Sequence, residues 1–196
     1  TGLIYKLDSI QLKYTDDDTT DSYNPFDFKT NDDYINSSLT PYLNYNNTDN
    51  HNFPRNGYKA RTSLEYAGIG GDSKYAKSIS SLKYYHSLED RFDLDWVLRY
   101  KTSVKILIDN GKITQGDSFN LGGPKSLRGY ESYSFGPDAN SNDPAMKKLF
   151  TNQFELSLPL FSEKARWGIF YDYGMIGEDN FDDTERSSTG ALLEWI

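Results

Sequence analysis

The chain reads Phe119-Asn120-Leu121-Gly122-Gly123-Pro124-Lys125-Ser126-Leu127-Arg128-Gly129-Tyr130 within the longest break in its strand pattern, from Lys105 to Leu149. Loops of this length without secondary structure are uncommon unless they are functional or disordered. The aromatic and aliphatic side chains of this stretch argue for order, because disordered segments contain few of them. Its glycines permit backbone angles that other residues avoid, and Pro124 fixes one angle between them. The pattern fits an ordinary Gly-Pro turn, or a shaped loop that presents Arg128 to a partner elsewhere in the fold.

Composition indicates a folded domain with an unusual amount of aromatic surface. Of 196 residues, 15% are aromatic although the mean hydropathy is −0.74, and the length suits one domain. The net charge of −8 argues against nucleic-acid binding, which needs a basic face. The sequence contains no cysteine, which excludes disulfides and thiolate metal sites. The chain opens without a basic, apolar signal segment, so we expect a mature chain or a part of a longer one.

Eight segments alternate between apolar and polar side chains and are predicted to be β-strands. They are Leu3–Tyr14, Tyr34–Asn46, Tyr58–Ala67, Tyr75–Ser87, Arg91–Lys101, Phe150–Phe161, Arg166–Ile176 and Ser187–Ile196. Neither an amphipathic helix of normal length nor a run of about 18 apolar residues appears. Short connections at Ser87–Asp90 and Ser162–Ala165 alternate with long ones at Asp16–Asp33 and Lys105–Leu149. Strands of about ten residues with short turns at one rim and long loops at the other favour an all-β, antiparallel transmembrane β-barrel. The alternative is a soluble sandwich, whose strands are usually about five to six residues long.

The hairpin Phe150–Ile176 carries a polar pair on one face. If its turn pairs Phe161 with Arg166 and no bulge intervenes, Glu155 lies directly opposite Asp172, with side chains about 5 Å apart. Both residues lie on the face opposite the leucine and aromatic positions. In a barrel that face is the lumen.

Two carboxylates so placed repel each other unless a proton or a cation intervenes. A catalytic acid pair is one reading, but His51 and His86 have no obvious partners and no nucleophile motif is present. A metal site is another, although two oxygens alone hold a metal poorly. The favoured reading is an arginine clamp, because a forked guanidinium suits carboxylates. We therefore predict that the long loop folds into the barrel and places Arg128 between Glu155 and Asp172.

Two acidic stretches resemble calcium loops in part only. Asp16–Asp18 lacks alternating ligands and a following glycine, and Asp138–Asn142 leads to Asp143 and Leu149 where a calcium loop has glycine and glutamate. We expect no metal, no cofactor and no enzymatic activity.

Several short motifs occur together in the chain. The long loop contains Leu121-Gly122-Gly123-Pro124, Ser126-Leu127-Arg128-Gly129-Tyr130 and Phe135-Gly136-Pro137. The strands and another turn contain Thr48-Asp49-Asn50, Phe53-Pro54-Arg55-Asn56-Gly57-Tyr58, Phe154-Glu155-Leu156 and Phe170-Tyr171-Asp172-Tyr173-Gly174. As a set these motifs resemble the BamA-like outer-membrane protein insertases, whose superfamily includes the two-partner secretion transporters. Leu127 stands where that family usually has valine or isoleucine.

The resemblance implies a sixteen-stranded barrel, of which this chain would supply about eight strands, by position the seventh to the fourteenth. Residues 1–196 would then form a single partial barrel domain, without the N-terminal POTRA domains and without the first and last strands. The resemblance also implies that the loop arginine, Arg128, is held in the lumen by acidic residues of the following strands, here Glu155 and Asp172. The residues that would shape the loop are Gly122, Gly123, Pro124, Leu127, Gly129 and Tyr130.

The function implied by the resemblance is to fold β-barrel proteins and insert them into the bacterial outer membrane. The implied partners are outer-membrane lipid, nascent β-barrel clients and accessory lipoproteins, with no nucleic acid. A two-partner secretion transporter or a TamA-like translocation component shares the arginine loop and is an alternative. Apart from the resemblance, the chain could form a complete eight-stranded barrel with a structural or adhesive role, which requires Leu3–Tyr14 to pair with Ser187–Ile196.

Overall fold

The computed structural model describes residues 1–11, 33–137, 145–162 and 165–195. The strands are β1 Gly2–Gln11, β2 Asp33–Asn46, β3 Gly57–Ala67, β4 Lys74–Ser87, β5 Val97–Lys112, β6 Lys148–Ser162, β7 Ala165–Gly177 and β8 Thr184–Trp195. A four-residue helix, α1, spans Glu89–Phe92, and a 3-10 turn spans Gln115–Asp117. Apart from Asp33, which begins β2, the predicted loop Asp16–Asp33 lies outside the described residues.

The strands form one antiparallel sheet in which each strand pairs with its neighbours in sequence, from β1 to β8. The all-β antiparallel fold predicted from the alternating pattern is confirmed. Within the described residues β1 does not pair with β8, so the alternative of a closed eight-stranded barrel is wrong. The described connections fall at two rims. The turn rim carries residues 47–56 and 88–96, and the loop rim carries residues 68–73, 113–137, 145–147 and 178–183.

The hydrophobic core lies between the sheet and the described part of the long loop, residues 113–137 and 145–147. We call the side of the sheet that this loop covers the loop-facing face. The sheet and the loop contribute similar numbers of buried side chains to this core: Ala67, Tyr75, Leu107, Leu149 and Ile176 from strands, and Ile113, Phe119, Leu121, Leu127 and Ala145 from the connection. The loop is therefore an internal layer of the fold.

The opposite, outward face exposes large apolar side chains on many strands. They include Leu3, Tyr5, Leu7, Leu43, Tyr45, Leu64, Tyr66, Ile108, Phe154, Ile169, Tyr171 and Leu193. Soluble monomers rarely expose a continuous apolar surface of this extent, whereas the lipid-facing side of a membrane barrel does so. Among the helices in the described part of the chain, none has the length and apolar character needed to cross a membrane.

Strand β5 begins and ends later than predicted. Arg91 and Phe92 belong to α1, and Asp93 follows in a left-handed conformation with φ 54°. The predicted strand Arg91–Lys101 is therefore wrong in its first half, and the predicted short turn Ser87–Asp90 is a connection that runs from residue 88 to residue 96. Because β5 continues to Lys112, the long loop is shorter than the predicted Lys105–Leu149.

Strands β6 and β7 pair in a register that differs from the predicted one. Gln153 lies opposite Asp172, and Glu155 lies opposite Phe170. The register shifts just before the β6–β7 turn, next to Pro159, which has no N–H to donate to the ladder. The prediction that Glu155 lies directly opposite Asp172 is therefore wrong. Because the displacement is an even number of residues, both carboxylates still lie on the loop-facing face.

Candidate functional site

A tight turn in the long loop carries Arg128 to the sheet. The backbone N–H groups of Ser126 and Leu127 donate to Gly123 O at 3.1 and 2.9 Å, and Ser126 Oγ donates to Gly122 O at 2.8 Å. Gly122 and Gly123 have φ angles of 121° and 88°. A Cβ added to Gly122 would lie 2.4 Å from a backbone oxygen across the loop. Glycine is thus required here for both conformation and space.

Paired backbone segments close the loop behind this turn. Leu121 N–H donates to Phe135 O at 2.7 Å, and Phe135 N–H donates to Leu121 O at 3.0 Å. Phe119 N–H donates to Met146 O at 2.9 Å, and the Tyr130 and Phe135 rings meet edge to face with centroids 5.1 Å apart. The loop therefore has a fixed internal structure that holds Arg128 in one place.

Arg128 is bound by two carboxylates on neighbouring strands. Its Nε and Nη2 donate to Asp172 Oδ2 and Oδ1 at 2.9 and 2.7 Å, and its backbone N–H donates to Asp172 Oδ2 at 2.9 Å. Its Nη1 donates to Glu155 Oε2 at 2.5 Å. The Asp172 side chain is 0% exposed and that of Glu155 is 13% exposed. The guanidinium thus bridges both carboxylates although they are not cross-strand neighbours.

Contacts to an aromatic ring and to β8 complete this cluster, which we call the Arg128 clamp. Arg128 Cζ lies 4.0 Å from the centroid of the Phe170 ring, a cation–π contact. Ser188 Oγ donates to Arg128 O at 2.5 Å, and Tyr130 OH donates to Ser187 O at 3.1 Å. The loop tip therefore contacts three consecutive strands.

The close approach of the loop to β7 depends on Gly174, the last residue of the motif that begins at Phe170. A Cβ added to Gly174 would lie 2.6 Å from Leu121 Cδ1. Leu121 is fully buried in the core. The absence of a side chain at residue 174 thus makes room for the loop leucine.

The clamp also includes an arginine that the sequence analysis did not identify. Arg99 Nη1 donates to Glu155 Oε1 at 3.0 Å and to Glu194 Oε2 at 2.8 Å. Glu155 therefore gives one oxygen to Arg99 and the other to Arg128. In the sequence, Arg99 stands on the polar side of the β5 alternation, but its partner on β8 could not be identified without the strand order.

Two further polar residues support the clamp from β5 and β6. Gln153 Nε2 donates to Asp172 Oδ2 at 3.1 Å. Lys101 Nζ donates to Gln153 Oε1 at 2.8 Å and to Lys125 O at 2.5 Å. The backbone of the loop is thus bound to the sheet at two places, through Lys125 O and through the N–H of Arg128.

The electrostatics of the clamp favour binding and positioning over proton transfer. Burial by itself lowers the pKa of the Arg128 guanidinium, but the hydrogen bonds from Arg128 to Asp172 and Glu155 outweigh it and raise the pKa above its ordinary value. Arg128 is therefore permanently charged. Because the oxygens of both carboxylates are engaged by cationic donors, the clamp offers no free base for acid–base chemistry.

A second ionic cluster lies at the turn rim. Arg55 Nη2 lies 2.8 Å from Glu89 Oε2, and Arg55 Nη1 lies 2.5 Å from Asp95 Oδ1. Arg166 Nη1 lies 3.2 Å from Asp95 Oδ2, and Arg166 Nε donates to Ser157 Oγ at 2.9 Å. Asp95 thus links the β2–β3 connection, which carries the motif that contains Arg55, to strand β7.

The histidines lie outside the clamp. The His86 ring stacks on Tyr84 with centroids 6.3 Å apart, and His51 accepts a hydrogen bond from Lys59 Nζ through its backbone oxygen. Within residues 1–11, 33–137, 145–162 and 165–195, no group of three or more His, Asp or Glu side chains is placed to hold a metal ion. The acidic stretches Asp16–Asp18 and Asp138–Asn142 lie outside the described residues.

The fold and the clamp together define a class of protein: a large antiparallel β-barrel wall with an apolar outer surface and a loop bound to its inner surface through an arginine. Within that class, comparison with known protein families identifies one superfamily. The whole chain, residues 1–196, matches the Omp85 superfamily domain. The chain belongs to the Omp85 superfamily.

Similar proteins include bacterial and animal members of this superfamily. The chain is 28% identical over 214 residues to the outer membrane protein assembly factor BamA of Nitratidesulfovibrio vulgaris. This alignment covers 99% of the chain and 25% of that protein. It is 25% identical over 171 residues to the sorting and assembly machinery component 50 homolog of Homo sapiens. That alignment covers 83% of the chain and 36% of the human protein. The chain therefore spans about a quarter to a third of the length of these relatives.

A solved structure shares the fold. The crystal structure of BamA from Haemophilus ducreyi lacking POTRA domains 1–3 matches with a TM-score of 0.72 and 23% identity, over 83% of this chain and 37% of that one. The all-β antiparallel fold of this chain is therefore the same as that of part of the BamA structure.

Proposed function

We propose that this chain forms part of the barrel of an outer-membrane protein assembly factor, which folds β-barrel proteins and inserts them into the bacterial outer membrane. The observation that carries the proposal is the Arg128 clamp on the inner face of a sheet that matches the Omp85 superfamily throughout. In support, one matching relative is an outer membrane protein assembly factor and another is a sorting and assembly machinery component. The proposed activity is not enzymatic and uses no cofactor.

The proposed partners follow from the two surfaces of the sheet. Outer-membrane lipid would contact the outward face, whose exposed leucine, isoleucine, tyrosine and phenylalanine side chains suit hydrocarbon. Nascent β-barrel clients and accessory lipoproteins are the proposed protein partners, and no nucleic acid is expected. A client strand would bind by pairing its backbone with a free sheet edge of the complete barrel.

In this proposal Arg128 and the glycines around it have a mechanical role. The loop joins β6, β7 and β8 from the inside through contacts to Glu155, Asp172 and Ser188. A wall braced in this way keeps its shape while another part of the barrel opens to admit a client. The residues that would shape the brace are Gly122, Gly123, Pro124, Leu127, Gly129 and Tyr130.

The test is depletion of the full-length protein that contains this chain, followed by complementation. Insertion of a β-barrel client is measured by the resistance of its folded form to denaturation on gels. Depletion should stall insertion, the wild type and Lys125→Ala should restore it, and Arg128→Ala should restore it poorly. Normal insertion after depletion would overturn the proposal. Loss of export of one secreted protein, with normal barrel insertion, would instead identify a two-partner secretion transporter.

A further inference from the structure

Three lysines lie side by side on the loop-facing face, in a row that ends at Lys101 beside the Arg128 clamp. Lys59 of β3 lies directly opposite Lys83 of β4, and Lys83 lies directly opposite Lys101 of β5. Directly opposed residues have Cβ atoms about 4.5–5.5 Å apart, and like charges in that position destabilise a sheet. We call this set the lysine row. Lys83 therefore faces a like charge on both sides.

Among the described residues, no carboxylate forms an ion pair with any of these three ammonium groups. Lys59 Nζ donates to His51 O at 3.0 Å, and Lys101 Nζ donates to Gln153 Oε1 at 2.8 Å and to a loop carbonyl. These acceptors are neutral, so they orient the ammonium groups without cancelling their charge. The ammonium group of Lys83 forms no hydrogen bond or ion pair with any residue that the structure describes.

The surrounding wall adds to the positive charge. The charged loop-facing side chains of β3 to β5 are the cations Lys59, Arg61, Lys77, Lys83, Arg99, Lys101 and Lys105 and the carboxylates Glu65 and Asp109. Both carboxylates lie toward the loop rim, and both are engaged: Glu65 accepts from Ser38 Oγ at 2.8 Å, and Asp109 lies 3.9 Å from Lys147 Nζ. A chain with a net charge of −8 thus concentrates cations on one internal wall.

A cavity of about 230 Å³ opens beside the row. Lys83 and Lys101 lie on its sheet side, Phe53 and Pro54 of the β2–β3 connection line another side, and Pro124 of the long loop lines a third. At about 30 Å³ per water molecule, this space holds several waters and has room for a tetrahedral oxyanion. The row and the cavity are independent features that meet at the same place.

We propose that the lysine row and this cavity bind a phosphate group, as a phosphate ester or pyrophosphate. Ammonium groups on flexible stems act as point charges and are common phosphate ligands. Arg99 and Arg128 also line the cavity, together with the carboxylates Glu155 and Glu194. These carboxylates form ion pairs with the two arginines, so Lys83 and Lys101 are the lining cations without an ion pair among the described residues. A phosphate in solution and the phosphate of a lipid headgroup present the same chemistry to this site.

The test uses the full-length protein, folded in a detergent without phosphate groups, and titrates pyrophosphate by ³¹P NMR line broadening and calorimetry. Lys83→Gln/Lys101→Gln should weaken binding at least tenfold. The matched control is Lys74→Gln/Lys112→Gln, which removes a directly opposed lysine pair from the same two strands, outside the cavity. The control should bind like the wild type, and Lys83→Arg should retain binding because it keeps the charge.

A second arm adds a lipid with a phosphate headgroup to the micelles. Competition with pyrophosphate would identify the lipid as a ligand, and pyrophosphate binding without competition would identify phosphate in solution. The proposal is overturned by the absence of saturable binding, by equal binding to the double variant, or by binding of an acidic peptide in place of pyrophosphate. If the double variant fails to fold, Lys83→Gln alone decides, because that side chain is exposed and forms no described hydrogen bond or ion pair.

Discussion

Asp172 receives three hydrogen bonds from Arg128, two from the guanidinium and one from the backbone N–H. Its side chain is 0% exposed, so these donors replace the water that a carboxylate would otherwise bind. Asp172 of β7 therefore fixes the backbone of the turn and also pairs with the positive charge of Arg128. Glu155 instead divides its oxygens between Arg128 and Arg99. Because of this difference, we expect substitution of Asp172 to cost more stability than substitution of Glu155.

Replacing Arg128 with alanine should release the long loop. The change leaves the buried Asp172 carboxylate without its cation, and breaking such a pair costs about 3–5 kcal/mol. Urea unfolding of the folded protein in micelles measures the loss, and limited proteolysis should reveal new cleavage within residues 113–147. Lys125→Ala, at an exposed position of the same loop, should change neither. Unchanged cleavage in Arg128→Ala would contradict the bracing role.

The two carboxylates should differ in importance. Asp172→Asn should lower the free energy of unfolding more than Glu155→Gln, because Arg128 makes three of its hydrogen bonds to Asp172 and one to Glu155. Double-mutant cycles with Arg128→Ala measure each coupling. We expect about 2–3 kcal/mol for Asp172 and a smaller value for Glu155. Equal couplings would show that the two guanidinium hydrogen bonds to Asp172 contribute no more than the one to Glu155.

Gly174 and Leu121 should behave as a compensating pair. Gly174→Ala places a methyl group where the Leu121 side chain lies, and overpacking of this kind costs about 1–3 kcal/mol. Leu121→Ala alone should cost about 2–5 kcal/mol through the cavity that it leaves. The double variant should be destabilised by less than the sum of the two, because the new methyl fills part of that cavity. Urea unfolding of the three variants measures this, and strict additivity would exclude the contact.

The alternation of side chains was sufficient to place the strands and their faces. Period-two alternation puts Glu155 and Asp172 on the same face, and that holds for any register shift by an even number of residues. The shift itself was not predictable, because it arises next to Pro159 at a strand end where pairing with β7 is interrupted. Spacing from a turn fixes the register only where no bulge intervenes.

Other features depend on contacts between strands far apart in the sequence. The Arg99–Glu194 pair joins β5 to β8, which are separated by two strands in the sheet. Sequence spacing carries no signal for such a pair. The helical turn α1 was missed for a different reason: its Phe92 continues the apolar alternation of β5, although the left-handed Asp93 ends the turn before the strand begins.

Asp95 should control the stability of the turn rim. Its carboxylate binds Arg55 through Oδ1 and Arg166 through Oδ2, and Arg166 is almost fully buried. Asp95→Asn should therefore destabilise the protein by about 1–3 kcal/mol, mainly because it weakens the pairing of the buried arginine. Arg55→Ala should cost less, since its side chain is 34% exposed and screened by solvent. Urea unfolding compares the two, and a larger effect of Arg55→Ala would reverse this assignment.

The β2–β3 connection should loosen in acid through Asp49. Burial by itself raises the pKa of Asp49, but the backbone N–H groups of Arg55 and Asn56, at 3.0 and 3.1 Å from its carboxylate oxygens, help to lower the pKa below its ordinary value. A lowered folded-state pKa gives stability that is present above the unfolded-state value of about 3.9 and is lost as the pH falls through the folded-state value. Hydrogen exchange at the Arg55 and Asn56 amides, relative to their intrinsic rates, should therefore speed up below about pH 4. Asp49→Asn keeps an acceptor oxygen and cannot titrate, so it should abolish this dependence, whereas Asp90→Asn on α1 should leave it intact. Acid-dependent exchange that persists in Asp49→Asn would assign the titration to another group.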